Sequence, residues 1–491
     1  MLALWLEDFY KVGHIDQYDK DVDQIWANLT PRSSRVIGVD KVVFFGMQYF
    51  IKEILIKEWQ NQFFNVPLDE ILAEYRAVIS ATLGVKNPRT DHIEYLHKLG
   101  YLPIDIYSLP EGSMVPLNVP VLVITNTTSR PSMWLPNYFE TIISNILWGG
   151  STSATTAKHY RDIFTKYAKE FGHTDLSFID WQGHDFSMRG MMGREAAVLS
   201  GMGHLTSFSG TDTIPAIIQA HKTYNAPYTC GGSVPATEHS VMCAGSKEGE
   251  FETFRRLVED TYPTGIVSIV SDTWDLWTVL TDYMPRLKET ILQRDGKVVI
   301  RPDSGDPVKI LCGDESRYHE TGHSYRGNKL FNHSHPAYYG VFELLRQTFG
   351  ETDGMLNKVG AIYGDSISPE RADAILKHLV SVGLSPYNAV FGIGSYTYQF
   401  VTRDTYGWAM KATAVRKGND VIPIFKSPVT DDGGKFSHKG IPAVYWNGEK
   451  HVVQQVTDPE LLDQCAFVKT FSNGQLLVDD NLNAIRERIH V

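Results

Sequence analysis

Over residues 1–150 the apolar positions alternate between helical and strand spacing. In YFIKEILIKEW (49–59), Ile51, Ile54, Leu55 and Trp59 recur at helical intervals and predict an amphipathic helix. LPIDIYSLPEGSMVPLNVPVLVITNT (102–127) reads as strands broken at Pro and Gly. WLPNYFETIISNILW (134–148) predicts an apolar helix with Pro136 in its first turn, where the missing N–H costs nothing.

From about residue 178 the pattern changes. Short apolar runs end in polar or Gly-bearing clusters, and helix-like segments follow. The clusters are QGHDFSMRG (182–190), SGTDT (209–213), SVPATEHS (233–240), VSDTWD (270–275), IRPDSGDP (300–307), YGDS (363–366) and FGIGS (391–395). With Asp185, Asp212, His239, Asp272, Asp303, Asp365 and Gly394 as markers, the intervals are 27, 27, 33, 31, 62 and 29. A strand, a crossover helix and two loops need about 30 residues. Seven strand ends at that spacing predict a parallel β/α barrel over 178–400 whose loops converge on one site. A doubly wound open sheet is the alternative; its loops would meet only near a switch point. The tail KATAVRKGNDVIPIFKSPVTDDGGKF (411–436) reads as a hairpin with a Gly-Gly turn and Lys-rich edges. Residues 401–491 are therefore expected to return to 1–150, making a second, discontinuous α+β domain from both termini.

Bulk composition narrows the function. The 491 residues are 43% hydrophobic and 12% aromatic, ample for a large core. A net charge of −11 argues against nucleic acid or an anionic membrane as partner. Apolar runs such as VPVLVI (119–124) are strand-sized, and MLALWLEDFYK meets Glu7 and Asp8 too early for a signal peptide. Four cysteines without C-x-x-C spacing fit a reducing compartment. The expectation is a cytoplasmic globular enzyme.

The strand ends carry the carboxylates Asp212, Asp272, Asp303 and Asp365, accompanied by Arg189, Arg301 and His239. Glycine loops at 364 and 392–394 each precede a helix and are phosphate cradle candidates, because glycine lets backbone N–H groups approach an anion closely. Arg301, Arg403, Lys411 and Lys426 supply further phosphate ligands. Carboxylates beside phosphate-binding bases point to Mg²⁺ or sugar hydroxyls. The site therefore reads as built for a phosphorylated sugar with a diphosphate and Mg²⁺. No motif for a nucleophilic Ser, Cys or Lys is present. YHETGHSYRGNKLFNHSHP (318–336) lacks a paired-histidine spacing on a predicted helix and reads as a polar surface insertion.

EDFYKVGHIDQY, VVFFGMQYF, HDFSMRG, GTDT, SVPATEHS, SIVSDTWD, IRPDSGDP and FGIGSYTYQFVTRD occur in order from residue 8 to about 440. Together they resemble the nicotinamide phosphoribosyltransferase family of type II phosphoribosyltransferases. The resemblance implies an irregular α/β barrel, a second domain from both termini, and a homodimer with active sites at its interface. It also implies a pentosyltransferase that makes nicotinamide mononucleotide and pyrophosphate from nicotinamide and phosphoribosyl pyrophosphate in NAD salvage. The cofactors implied are Mg²⁺ and, as a stimulating co-substrate, ATP.

Residue by residue, the resemblance implies that Phe186 and the partner's Tyr10 sandwich the pyridine ring, as aromatic faces favour. Asp212 accepts from the carboxamide and repels a carboxylate; an N-cap on TIPAIIQAHK is its structural alternative. Arg301 holds the amide oxygen or the diphosphate. Asp272 and Asp303 contact ribose hydroxyls and Mg²⁺ and stabilise an oxocarbenium-like transition state, while Asp275 starts a helix. Gly364, Asp365, Gly394 and Ser395 cradle the 5′-phosphate, although Ser395 and Tyr396 stand where the family loop carries glycines. Arg189, Arg32, Ser268, Arg403, Lys411 and Lys426 complete the phosphoribosyl and diphosphate set. His239 matches a phosphorylatable histidine that couples ATP hydrolysis to transfer, oriented by Glu238 or a nearby carboxylate.

Overall fold

The computed structural model describes residues 1–318, 335–426 and 437–490. Most of the histidine-bearing insertion and the expected Gly433–Gly434 turn lie outside the described residues. The chain forms two units, Met1–Thr155 with Ile218–Pro227 and Val401–Val491, and Thr156–Ile217 with Tyr228–Phe400. The first boundary falls inside the helix Glu140–Phe171, so residues 156–177 go with the barrel rather than standing between the domains. Residues 218–227, expected in the barrel, are counted with the terminal unit.

In the terminal unit a seven-stranded sheet runs in the order 420–423, 409–417, 22–30, 122–126, 104–108, 468–472, 475–476. Val22–Thr30 pairs antiparallel with Ala409–Lys417, and Ile104–Ser108 with Val468–Ser472, so both termini build one sheet. Within the tail, Ala409–Lys417 and Asp420–Pro423 form a hairpin through Gly418–Asn419, where Gly418 holds φ 57. The 49–59 helix is wound wide, with Trp59 N–H donating to the Ile54 carbonyl, and its four apolar positions are buried as the spacing predicts.

The second unit is the barrel. Its strands are β1 (Gly183–Asp185), β2 (Gly210–Thr211), β3 (Gly265–Val270), β4 (Gly296–Arg301), β5 (Val359–Tyr363) and β6 (Ala389–Ile393). They form one parallel sheet in the order β2-β1-β6-β5-β4-β3. The two edges do not pair with each other; the segment 232–236 links them through parallel bridges Gly210↔Gly232 and Ala236↔Ser268. Thr211 N donates to the Gly232 carbonyl at 2.9 Å, and Ser268 N to Pro235 at 2.9 Å. This seventh stave is irregular because Pro235 has no N–H to give a ladder. The sheet thus closes on itself as an irregular α/β barrel.

Alternation along the strands sorts their side chains. Val267, Ile269, Val298, Ile300, Ala361 and Phe391 point outward into a fully buried core with Phe164, Leu345 and Ile375 of the surrounding helices. The inner face carries Ser268, Lys297, Val299, Gly360, Ile362 and Val390. Small barrels are ordinarily filled by their inward side chains, but Ser268 and Gly360 are too small, and a space remains. Among the described residues, no helix is long and apolar enough to cross a membrane.

Candidate functional site

At the C-terminal ends of the strands the loops converge around a cavity of about 830 Å³. Phe186, Met188 and Arg189 follow β1, Asp212 and Thr213 follow β2, and Glu238, His239 and Ser240 follow the irregular stave. Arg301 ends β4 and Asp303 follows it, Gly364–Ser366 follow β5, and Gly394–Tyr396 follow β6. Five of the seven marker residues therefore face one space. Asp185 and Asp272 do not line it.

Asp185 is buried behind β1, where it accepts from Ser187 N at 2.9 Å and shapes the turn. Asp272, expected on ribose and Mg²⁺, sits beneath the wall: its Oδ2 accepts from the backbone N–H groups of Asp303 and Ser304, both at 2.8 Å, and from the Ser304 hydroxyl. A buried carboxylate takes the nearest donors, and here these belong to the loop that presents Asp303. Its Oδ1 lies 3.8 Å from His239 Nε2. Asp275 accepts from Trp277 N and Thr278 Oγ1 and caps the next helix.

His239 is half-exposed on the cavity wall, with Nδ1 hydrogen-bonded to Thr273 Oγ1 at 3.1 Å and Nε2 at 4.0 Å from Asp303 Oδ2. Glu238 is engaged by the Ser240 hydroxyl, so Thr273 and the two aspartates, rather than Glu238, surround the imidazole. Burial raises the Asp303 carboxyl above its usual range; Asp272 and Asp365 add to this, and Arg301 and His239 oppose it. Arg301 is mostly buried, and its Nε has no hydrogen-bond partner, standing 4.0 Å from Asp303 Oδ2. An orphaned buried guanidinium N–H is a donor waiting for an acceptor.

At the other end of the cavity Phe186 stands in a slot that only glycines permit. A Cβ on Gly392 would lie 2.5 Å from the Phe186 ring, and one on Gly364 would lie 2.5 Å from Asp303 Oδ1. His184, on the same inner face, packs against Phe186 with ring centroids 4.8 Å apart. Asp212 Oδ1 is held by His184 Nε2 at 3.0 Å and by the Ser233 hydroxyl at 2.6 Å, so the carboxylate faces the barrel rather than capping the following helix. Burial pushes its pKa up, but these two hydrogen bonds and the Arg301 charge outweigh burial and hold it below the ordinary value.

The phosphate-type loops are tightly drawn. Ser366 holds φ 54, a left-handed conformation costly for serine, and its hydroxyl donates to Asp365 at 2.9 Å. Ser395 packs against Gly190, where a Cβ would collide with its Oγ.

Below the slot, a second cavity of about 700 Å³ runs along the inner face of the strands. It shares Phe186, Asp212 and Arg301 with the first and continues past Ser268 to Lys297, Met355 and Tyr387. Ser268, expected among the phosphate-binding residues, lines this chamber: it sits mid-strand in β3, so alternation turns it inward below the loop tips. Its buried hydroxyl has no hydrogen-bond partner.

Tyr10, Arg32, Arg403, Lys411 and Lys426 belong to the terminal unit, and the lining of the 830 Å³ cavity comes entirely from the barrel unit. Tyr10 is exposed, as is Arg403, which stands 3.8 Å from Asp404. Arg32 Nε donates to the Gly407 carbonyl, and Lys411 pairs with Glu140 at 3.2 Å. His184, Ser233 and Ser366 were not singled out by the sequence reading. For His184 a signal existed, because strand alternation puts it on the same face as Phe186.

The profile of the nicotinate phosphoribosyltransferase family matches residues 181–473, and that of the nicotinamide phosphoribosyltransferase N-terminal domain matches residues 3–63. A nicotinamide phosphoribosyltransferase of Acinetobacter baylyi is 45% identical over 98% of this chain and 96% of its own length. One from Mycoplasma pneumoniae is 34% identical over 89% of this chain and 96% of its own. Among solved structures, nicotinate-nucleotide pyrophosphorylase from Pyrococcus furiosus has the same fold, with a TM-score of 0.56 at 14% identity, covering 99% of this chain and 94% of that one. Human nicotinic acid phosphoribosyltransferase aligns at a TM-score of 0.52 and 15% identity, covering 98% and 92%.

Proposed function

This chain belongs to the nicotinate phosphoribosyltransferase family, and from that membership we propose that it transfers the phosphoribosyl group of phosphoribosyl pyrophosphate to nicotinamide in NAD salvage. The ring nitrogen forms a bond to C1′ as the C1′–O bond to diphosphate breaks, giving nicotinamide mononucleotide and pyrophosphate. The observation that carries the amide reading is the Asp212 carboxylate, held charged by His184 and Ser233 beside Phe186. It accepts a hydrogen bond from a carboxamide N–H₂ and repels a carboxylate.

Arg301, with an unpartnered Nε, meets the amide oxygen or the diphosphate. Asp303 faces the ribose and the positive charge that grows at C1′ as the leaving group departs. Gly364–Ser366 and Gly394–Ser395 take the 5′-phosphate, and Arg189 approaches from the loop after β1. The cavity carboxylates are hard oxygen donors, which suits Mg²⁺; Asp303 and Asp365 would hold it, and bound there it neutralises diphosphate charge.

In a homodimer, the exposed Tyr10 and Arg403, with Arg32, Lys411 and Lys426, serve a neighbouring subunit's barrel. ATP phosphorylates His239 at Nε2, the ring nitrogen left on the carboxylate side by the Thr273 bond, with ADP leaving.

Turnover of nicotinamide and nicotinate with phosphoribosyl pyrophosphate and Mg²⁺ tests the main reading. Strong preference for the amide is expected, and preference for the acid overturns it. His239→Ala is expected to abolish ATP stimulation and leave basal transfer; stimulation that survives removes the phosphohistidine.

A further inference from the structure

The two loops read above as the 5′-phosphate cradle follow different strands, β5 and β6, so their spacing is set by groups that reach both. The first of them is also strained. Ser366 holds φ 54, and such a conformation persists only where its surroundings fix it. Directly after it, the buried Ile367 carbonyl accepts two hydroxyls: Thr397 Oγ1 at 2.9 Å and Tyr160 Oη at 3.0 Å. Thr397 stands two residues past Ser395 on the second loop, and its hydroxyl lies 3.2 Å from that of Tyr160. Tyr160 comes from the helix Glu140–Phe171 and is fully buried; burial raises its pKa, so the phenol keeps the proton it donates. On the other side of the strained residue, Arg371 Nη1 donates to the Ser366 carbonyl. The second loop has its own anchor. Tyr398 Oη is 2.7 Å from His204 Nδ1, and His204 Nε2 is 2.8 Å from the Gly210 carbonyl of β2.

We propose that Tyr160 and Thr397 are positioning residues for phosphate recognition. Their clasp on the Ile367 carbonyl holds Gly364–Ser366 and Gly394–Ser395 at the separation that one phosphate group spans, and keeps Ser366 left-handed. Neither residue lines the 830 Å³ cavity, so both act through the loops. The proposal rests on the phosphate reading of these loops, and not on which pyridine is used.

The test measures binding of ribose 5-phosphate and of nicotinamide separately, by calorimetry on the full chain. Tyr160→Phe and Thr397→Val are each expected to weaken ribose 5-phosphate binding about tenfold, the effect of one lost buried hydrogen bond, and to leave nicotinamide affinity unchanged. Thr397→Ser keeps the hydroxyl and is expected to bind as the native chain does. Glycine adopts φ 54 without strain, so in a Ser366→Gly background the loss from Tyr160→Phe is expected to shrink below about threefold. A core that is merely weakened would show no such rescue. The clasp is overturned by absent ribose 5-phosphate binding to the native chain, by unchanged affinity in both variants, by an equal loss for nicotinamide, or by an undiminished loss in the Ser366→Gly background. Where the ribose 5-phosphate losses hold but nicotinamide is not turned over, the transfer reading fails and the clasp stands.

Discussion

The two cavities of the barrel meet at Phe186, Asp212 and Arg301 and differ beyond them. The upper one is walled by loop tips, and its polar groups come from six separate loops. The lower one is walled by strand interiors, and alternation dictates which residue faces it. Loop tips are free of that alternation, so chemistry concentrates there, while the strands set volume. The carboxylates show the same division. Asp212, at the junction, has two hydrogen-bond donors and is held charged; Asp303, at the upper end, is desolvated among other acids and is pushed toward its neutral form. On the proposed function, one end of the site would discriminate between the pyridines and the other would respond to incoming positive charge.

The harshest way to break this comparison is Asp303→Asn. Turnover is expected to fall by about 10³-fold, as when one transition-state electrostatic partner is lost, while nicotinamide binding, measured by calorimetry, changes little. Gly392→Ala drives a methyl into the Phe186 ring, and kcat/KM for nicotinamide is expected to fall by about 10²-fold, the usual effect of a misplaced substrate. Asp212→Asn removes about 2 kcal/mol of charge-assisted recognition, so preference for nicotinamide over nicotinate is expected to shrink about thirtyfold; an unchanged ratio in competition assays would put discrimination elsewhere. Acidification sharpens the contrast. Asp303 titrates above the ordinary range and Asp212 below it, so a falling pH neutralises Asp303 first. The KM for phosphoribosyl pyrophosphate should rise before that for nicotinamide, and a simultaneous rise would contradict the division. The smallest effect belongs to Asp275→Ala, which removes a helix cap: about 1 kcal/mol of stability is lost in denaturant melts, with kinetic constants unchanged.

Much of the barrel was legible because its repeat is local. Each stave is a short apolar run closed by a polar tip, and the spacing of tips reflects the length of one strand and one helix. Even SVPATEHS, with Pro235 in it and only Val234 and Ala236 apolar, could be placed as a stave by position alone. What the repeat could not show is how neighbouring loops and strand faces pack. Asp272 lies at a strand end like Asp303, yet the loop it supports folds over it and engages its Oδ2, leaving Oδ1 toward His239. Ser268 and Asp272 are close in sequence, but one faces the chamber and the other sits beneath a neighbouring loop. The basic residues of the terminal unit offered no local pattern, only the family resemblance.

The sequence by itself determined the staves and the loop tips, because periodicity and turn chemistry act between neighbours along the chain. Tertiary structure decided how the barrel closes, which carboxylate stays charged and where the chamber is left empty. Those outcomes depend on groups brought together from distant positions. His184 and Ser233 reach Asp212 from 28 and 21 residues away, and the electrostatic state of a buried acid is set by whatever arrives beside it.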